Sequence, residues 1–333
     1  MNELELIEVL KRGLPGNKSV VVGAGDDCAV LDVGVPDNWL LFKTDAVVEG
    51  VHFVKEEEPR RVGRKAMARC LSDIAAMGGQ PGSALVTLGL PSDYRPEFVQ
   101  GMYEGMGAIA KEYDVAIVGG ETVPNQGGVF VSIAMLGSVR KDRCMLRSGA
   151  KAGDAIFVTG ELGGSIEGHH LDFDPRVREG QWLTGSFSIH AMIDVSDGLS
   201  SDLRHLLNAS GVGAELLADA IPISRAARVR ARGRGQAVPA PADGIAVKAA
   251  AKPPLLAALT DGEDFELLFT VASKDAVPLL DGFKSAFPKV PLTCIGKISG
   301  EVGLRIRDKR GVRPLAGNGY VHFGEQETDK GGR

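Results

Sequence analysis

The sequence predicts a mixed α/β protein built from two domains. Three observations carry this. The chain has 333 residues, against roughly 150 per domain. It is 44% hydrophobic and 24% charged, enough to bury a core in each half. Short apolar runs alternate with longer amphipathic ones throughout.

Residues 38–44 and 82–90 read as strands, because they are short, apolar and bounded by turn residues. Residues 59–77 read as a helix. Pro59 suits its first turn, and Met67, Leu71 and Ile74 recur at i, i+4 and i+7. A second helix is expected over 96–113, and strands over 115–118 and 129–136. The polar, glycine-bearing stretch 147–154 marks a boundary between an N-terminal domain, 1–146, and a C-terminal domain, 147–333. Beyond it, strands are expected over 155–159, 265–271 and 292–298, and helices over 201–209 and 273–287. Residues 225–235 carry five arginines, and 236–254 is rich in alanine and proline. This stretch reads as a solvated insertion rather than an RNA- or phosphate-binding arm, since it lacks aromatics for base stacking. Residues 324–333 read as a frayed tail.

The formal net charge of −5 argues against a dedicated nucleic-acid binder. Four cysteines, Cys28, Cys70, Cys144 and Cys294, show neither zinc spacing nor a disulfide framework, which suits a reducing compartment. The acidic start lacks the basic, then apolar, pattern of a signal peptide, and no run of 18 apolar residues exists. The expectation is a soluble cytoplasmic protein with no membrane partner. The 44 glycines are nearly twice the usual ~7% and cluster beside acids, as in Gly25-Asp26-Asp27, Gly119-Gly120-Glu121 and Asp197-Gly198.

Those acids are the informative feature. Asp26 and Asp27 precede an apolar run. Asp45 ends a strand, and Asp73 lies among Cys70, Leu71, Ile74 and Met77. Glu121 follows Val118-Gly119-Gly120, Asp194 and Asp197 flank Val195-Ser196, and Asp261, Glu263, Asp264 and Glu266 precede Leu267. A carboxylate beside a packed strand is costly unless it is paired or protonated. One such acid is explained by a nearby arginine or helix terminus. Six clusters aimed at one cleft would repel each other without cations between them. All-oxygen ligands select Mg²⁺ or Mn²⁺, and magnesium on carboxylates usually completes its shell with water and phosphate, which points to ATP. The usual phosphate cradles are missing. Gly13-Leu14-Pro15-Gly16-Asn17-Lys18-Ser19 misses the P-loop spacing, and Gly23-Ala24-Gly25 opens no G-x-G-x-x-G. None of the six histidines has metal spacing, and His169-His170 reads as a loop feature.

Seven motifs in order resemble the thiamine-monophosphate kinase family, within the superfamily typified by aminoimidazole ribonucleotide synthetase. They are Gly25-Asp26-Asp27, Thr44-Asp45 with His52-Phe53, residues 71–78, Gly119-Gly120-Glu121-Thr122, residues 147–150, residues 193–199 and residues 262–267. The resemblance spans about residues 20 to 323. It implies ATP-dependent transfer of the γ-phosphoryl group to thiamine monophosphate, giving thiamine diphosphate. It also implies a two-domain PurM-like α/β fold, whose N-terminal strands pair with a second copy into a barrel and make a homodimer. Asp27, Thr44, Asp45, Asp73, Asp194 and Asp197 would bind several magnesium ions. Tyr103, Gly120, Arg147 and Ser196 would hold ATP, and His52, Glu263 and Tyr320 would contact the thiamine phosphate. Glu121 stands where the family often has aspartate and could still serve both metal and nucleotide. No catalytic base is assigned, because the acceptor phosphate is already largely ionised.

Four further departures are visible. Lys43 replaces a common serine, Cys70 an asparagine and Asp261 a glycine, and residues 168–176 are shorter than the helical segment expected there. On a strand, Lys43 shares a face with Asp45 and opposes Thr44. The expectation is that Lys43 stands in for one magnesium and contacts phosphate or Glu121, the alternative being that it turns to solvent. The rival functions are another enzyme of the superfamily, such as selenophosphate synthetase, and a nucleotide-binding regulator with weakened activity. The first lacks support here, because no reactive N-terminal cysteine lies in a glycine-rich loop and the sequence ends Gly331-Gly332-Arg333 without the cysteine that the hydrogenase-maturation relative would require.

Overall fold

Two sheets organise the computed structural model, which describes residues 3–232 and 252–315. Tyr320 and part of the arginine-rich stretch lie outside the described residues. The first half runs α1 (Glu3–Lys11), β1 (Val20–Val22), β2 (Ala29–Leu31), β3 (Asn38–Val48), α2 (Pro59–Ala76), β4 (Gln80–Leu90), α3 (Pro96–Glu112), β5 (Ala116–Pro124) and β6 (Phe130–Arg140). Its sheet has the order β1-β2-β3-β6-β4-β5, antiparallel except for the β4–β5 pair. The second half continues with β7 (Ala155–Thr159), α4 (His169–Asp172), α5 (Val177–Ser186), β8 (Ile189–Asp194), α6 (Leu199–Ser210), β9 (Gly213–Leu217) and α7 (Arg225–Ala231). Then come α8 (Pro254–Thr260), β10 (Leu267–Val271), α9 (Ala276–Ala286), β11 (Leu292–Ser299), β12 (Gly303–Asp308) and β13 (Gly311–Pro314). The second sheet has the order β13-β12-β9-β11-β7-β10-β8, with only β9 and β12 parallel.

The mixed α/β architecture expected from the sequence is present, with several boundaries moved. β3 and β6 each run four residues further than their apolar cores suggest. The helix expected over 273–287 opens with a short 3-10 turn, Ser273–Asp275, before α9. Strand β8 escaped the sequence reading because its outward residue His190 breaks a short apolar run.

Helix α2 is the pivot. The Glu58 carboxylate caps its first turn, accepting from the Arg61 amide at 3.0 Å, and Pro59 occupies the first helical position. From Val62 to Ala76 it is buried at almost every position, because it lies on the first sheet with α3, α5 and β8 against its other sides. Its contact with α3 is unusually close. A Cβ on Gly63 would lie 1.9 Å from the Met102 carbonyl oxygen, and one on Gly105 would lie 1.9 Å from that of Arg60. Only two glycines facing each other let the backbones meet there.

The second sheet divides two cores by strand alternation. Phe157 and Phe269 face Met67, Leu71 and Ile74 of α2, in one apolar cluster spanning both halves. Ile156, Val158 and Leu268 face the opposite way, under Leu203 and Leu206 of α6. Among the described residues, only one face of the first sheet is covered. On the other, Phe42, Leu85, Val118 and Leu136 are 39% to 62% exposed, with Phe42 directly opposite Leu136.

Replacing Gly105 by alanine is expected to destabilise the protein by about 3 kcal/mol or more, since neither backbone can retreat from a 1.9 Å contact. A urea titration with a midpoint unchanged from wild type would show that α2 and α3 can separate freely.

Candidate active site

Asp27, Asp73 and Asp194 meet from three elements. Asp27 lies just before β2, Asp73 in the last turn of α2, and Asp194 at the end of β8. All three are buried, and one oxygen from each lies within 4.8 Å of the others. Arg147 donates from Nε at 3.1 Å and Nη2 at 2.5 Å to Asp27 Oδ1, while Asp27 Oδ2 is buried without a hydrogen-bond partner. Ser72 donates to Asp194 Oδ2 at 2.5 Å. Asp26 accepts from the Arg147 amide at 3.2 Å.

The electrostatics follow from burial. Desolvation and the charge of Asp27 push the Asp194 carboxyl up to about 7 and that of Asp26 up to about 6. Burial also raises Asp73, against the pull of Lys43. Carboxylates this crowded either hold a proton or share a cation. The group is therefore a fit for a divalent ion, with an all-oxygen donor set, a buried setting and one oxygen left unpartnered.

Beside this group lies a chain of ion pairs. Lys65, Arg69 and Asp73 recur at i, i+4 and i+8 on one face of α2. Lys43 Nζ of β3 is 2.8 Å from Asp73 Oδ1. Arg69 forks onto Asp45, with Nε and Nη2 each 3.0 Å from an oxygen, and its Nη1 is 3.2 Å from Glu263 Oε1. Lys65 is fully buried and donates to Glu263 at 2.7 Å and to the His52 carbonyl oxygen at 2.8 Å. Burial would raise Asp45 and Glu263, but Arg69 with Lys43, and Lys65 with Arg69, hold the two carboxyls below their ordinary range. Burial pulls Lys65 down to about 8, which leaves it charged near neutral pH.

Glu263 is set by its backbone. Its amide donates to the Ser196 carbonyl oxygen at 2.6 Å, and the Phe265 amide to that of Val195 at 2.7 Å. Glu263 and Phe265 take left-handed φ values of 63° and 52°. The neighbouring acids have structural partners. Asp264 accepts from the Gly163 amide, Glu266 pairs with Arg176, and Asp261 pairs with Lys252. A second group, Asp197, Asp202 and His205, brings its ligand atoms within 4.8 Å at the start of α6, where Asp202 accepts from the Asp197 amide at 3.0 Å.

The structure thus brings together Asp27, Asp73 and Asp194 with Arg147, and places Asp45, His52 and Glu263 on the adjoining ion-pair chain. Ser196 meets Glu263 through its backbone. Thr44 points to the other face of β3, its hydroxyl 3.4 Å from that of Ser132. Gly120 and Glu121 lie on exposed β5, where the Glu121 carboxylate accepts from the Thr122 amide at 2.9 Å. A Cβ on Gly120 would lie 1.8 Å from the Val86 carbonyl oxygen, which is reason enough for a glycine. Tyr103 is exposed on α3. Lys43 neither turns to solvent nor reaches Glu121; its partner is Asp73. His169 and His170 make backbone contacts, to Asp264 and Ser165. The arginine-rich stretch starts as helix α7, capped by Ser224, and Arg230 lies 3.5 Å from Asp261. Sequence reasoning passed over Lys65, Arg69 and Asp202, took Ser72 only as part of the motif 71–78, and set His205 aside with the other histidines as lacking metal spacing, whereas the fold brings it to Asp197 and Asp202. The helical spacing of 65, 69 and 73 was the available signal.

The first half of the chain carries an AIR-synthase-related domain. The family model described as AIR synthase related protein, N-terminal domain, matches residues 25–139. A thiamine-monophosphate kinase of Rhodopirellula baltica is 42% identical over 319 residues, covering 93% of each chain. That of Salmonella typhimurium is 36% identical over 330 residues, covering 91% of this chain and 92% of its own. The structure of AaThiL complexed with AMPPCP and TMP superposes with a TM-score of 0.79 at 29% identity, covering 97% of both chains. The chain belongs to the thiamine-monophosphate kinase family.

Removing one partner of the buried ion-pair chain is expected to cost more than the pair contributes. Lys65→Met should lower unfolding free energy by about 3 kcal/mol in chemical denaturation. Adding Glu263→Gln to that variant should recover part of the loss. Strict additivity of the two substitutions would show that the residues are not coupled.

Proposed function

We propose that this chain transfers the γ-phosphoryl group of ATP to thiamine monophosphate, with Mg²⁺, or Mn²⁺ in its place, at Asp27, Asp73 and Asp194. The observation that carries the reading is the buried carboxylate group with its unpartnered Asp27 oxygen beside Arg147. Family membership, and a relative solved with AMPPCP and TMP, support both substrates.

A bound divalent ion would neutralise phosphate charge and leave the phosphoryl group open to in-line attack. The remaining work falls to the chain. Arg147, held by Asp27, offers its remaining N–H groups to phosphate oxygens. Ser196, Tyr103, Gly120 and Glu121 are proposed on the nucleotide side, with Thr44, Glu121 and Asp197 as further metal ligands, while Asp45 is held by Arg69. His52, Glu263 and Tyr320 are proposed for the thiamine phosphate. Lys65 and Arg69 hold Glu263 in place. The acceptor phosphate is largely ionised near neutral pH, so no side chain need remove a proton.

The proposal extends to assembly. The half-naked first sheet, with Phe42, Leu85 and Leu136 outward, suits pairing with a second copy into a barrel. Residues 1–146 would carry that interface and most metal ligands, and 147–333 would complete the substrate site. No described helix is long and apolar enough to cross a membrane, and the four cysteines are free; both fit work in the cytoplasm.

ATP should be consumed in the presence of thiamine monophosphate and not without it. Asp27→Asn should lower turnover at least about 100-fold while the protein stays folded. Near-wild-type turnover by that variant would remove the acidic group from the mechanism. Light scattering at micromolar concentration should give a dimer mass for wild type and a monomer mass for Leu136→Arg. A monomeric wild type would end the barrel proposal.

A further inference from the structure

Four carboxylates crowd the centre: Asp27, Asp45, Asp73 and Asp194. Three protein cations already answer them: Arg147 on Asp27, Arg69 on Asp45, and Lys43 on Asp73. The cations are not loose surface charges. Arg69 engages both oxygens of Asp45, and Ala46 adds an amide to the same carboxylate at 2.7 Å. Lys43 reaches from the inward face of β3, the face it shares with Asp45, to within 2.8 Å of Asp73 Oδ1.

We propose that Lys43 and Arg69 are resident cations of this centre, Lys43 taking one oxygen of Asp73 and Arg69 both oxygens of Asp45, where further divalent ions would otherwise be ligated. The chain alone then seats one ion here, against Asp27, Asp73 and Asp194, in place of a larger cluster. An ammonium 2.8 Å from Asp73 Oδ1 stands where a metal ion using that oxygen would stand. Magnesium needs ligands at roughly 2.0–2.1 Å in octahedral array, which a neighbouring ammonium both obstructs and repels. Arg69 cannot release Asp45 by losing a proton, because guanidinium stays charged at any working pH. The inference rests on the proposed kinase reading only for the identity of the metal.

Binding of Mn²⁺ to the whole protein, without substrates, tests it by electron paramagnetic resonance of the free ion. Relative to wild type, Lys43→Ser should gain one ion per chain, or bind Mn²⁺ at least about tenfold more tightly. Lys43→Arg should match wild type, and Asp27→Asn should lose one ion. A folded Lys43→Ser protein with unchanged stoichiometry and affinity overturns the proposal. Should that variant fail to fold, Lys43→Gln is held to the same standard of tenfold tighter binding. The count needs no turnover. Expected counts in a chain that does not phosphorylate thiamine monophosphate would sink the kinase reading alone.

Discussion

The arrangement of both halves depends on one constraint, that several carboxylates are buried together and each must be compensated. An isolated ionised carboxylate in an apolar interior is too costly to keep. Here the answering charges come from three places: the inward face of β3, one face of α2, and the connection that carries Arg147. Helix α2 can deliver Lys65 and Arg69 only if it is sunk between the sheet and the second half of the chain. That depth requires α3 to pack against its back at backbone contact, which Gly63 and Gly105 permit. The pair of glycines and the ion-pair chain are thus two consequences of the same demand.

The acids that build the centre were legible in the sequence because they break apolar runs. Asp27, Asp73 and Asp194 stand out for that reason, and the structure gathers them. Their protein partners were not legible in the same way. A lysine and an arginine on a helix ordinarily face water, and only their spacing to Asp73 at i, i+4 and i+8 sets Lys65 and Arg69 apart from such residues. The distinguishing fact is that α2 has almost no solvent face, and that is decided by α5 and β8, more than a hundred residues away. The same holds for Lys43. Strand alternation correctly put it on the face of Asp45, but its partner depends on where α2 crosses β3, which brings Asp73 rather than Glu121 within reach.

Part of the acidic signal had the bland explanation. Asp261, Asp264 and Glu266 sit beside an apolar strand as Asp194 does, yet a lysine, a backbone amide and an arginine satisfy them. Composition cannot separate these cases. The separation lies in what is left over. Glu266 has both oxygens engaged by Arg176, with a further bond from Thr159, whereas Asp27 keeps a buried oxygen with none.

The loop around Glu263 shows how the halves constrain each other. Two non-glycine residues with left-handed φ, separated by one position, cost of order 1–3 kcal/mol each. The chain would relax unless something held it. Backbone bonds to Val195 and Ser196 hold it from the C-terminal side. Lys65 and Arg69 hold Glu263 from α2, while the Phe265 ring stacks on Phe173 at 4.0 Å between centroids, with the Arg69 guanidinium 5.8 Å from it. Arg69 therefore touches Asp45 of the first sheet, Glu263 and the Phe265 ring at once. A displacement of one half against the other would break the fork on Asp45 or release the strained loop. The carboxylates of the centre are thereby tied to the relative position of the two halves.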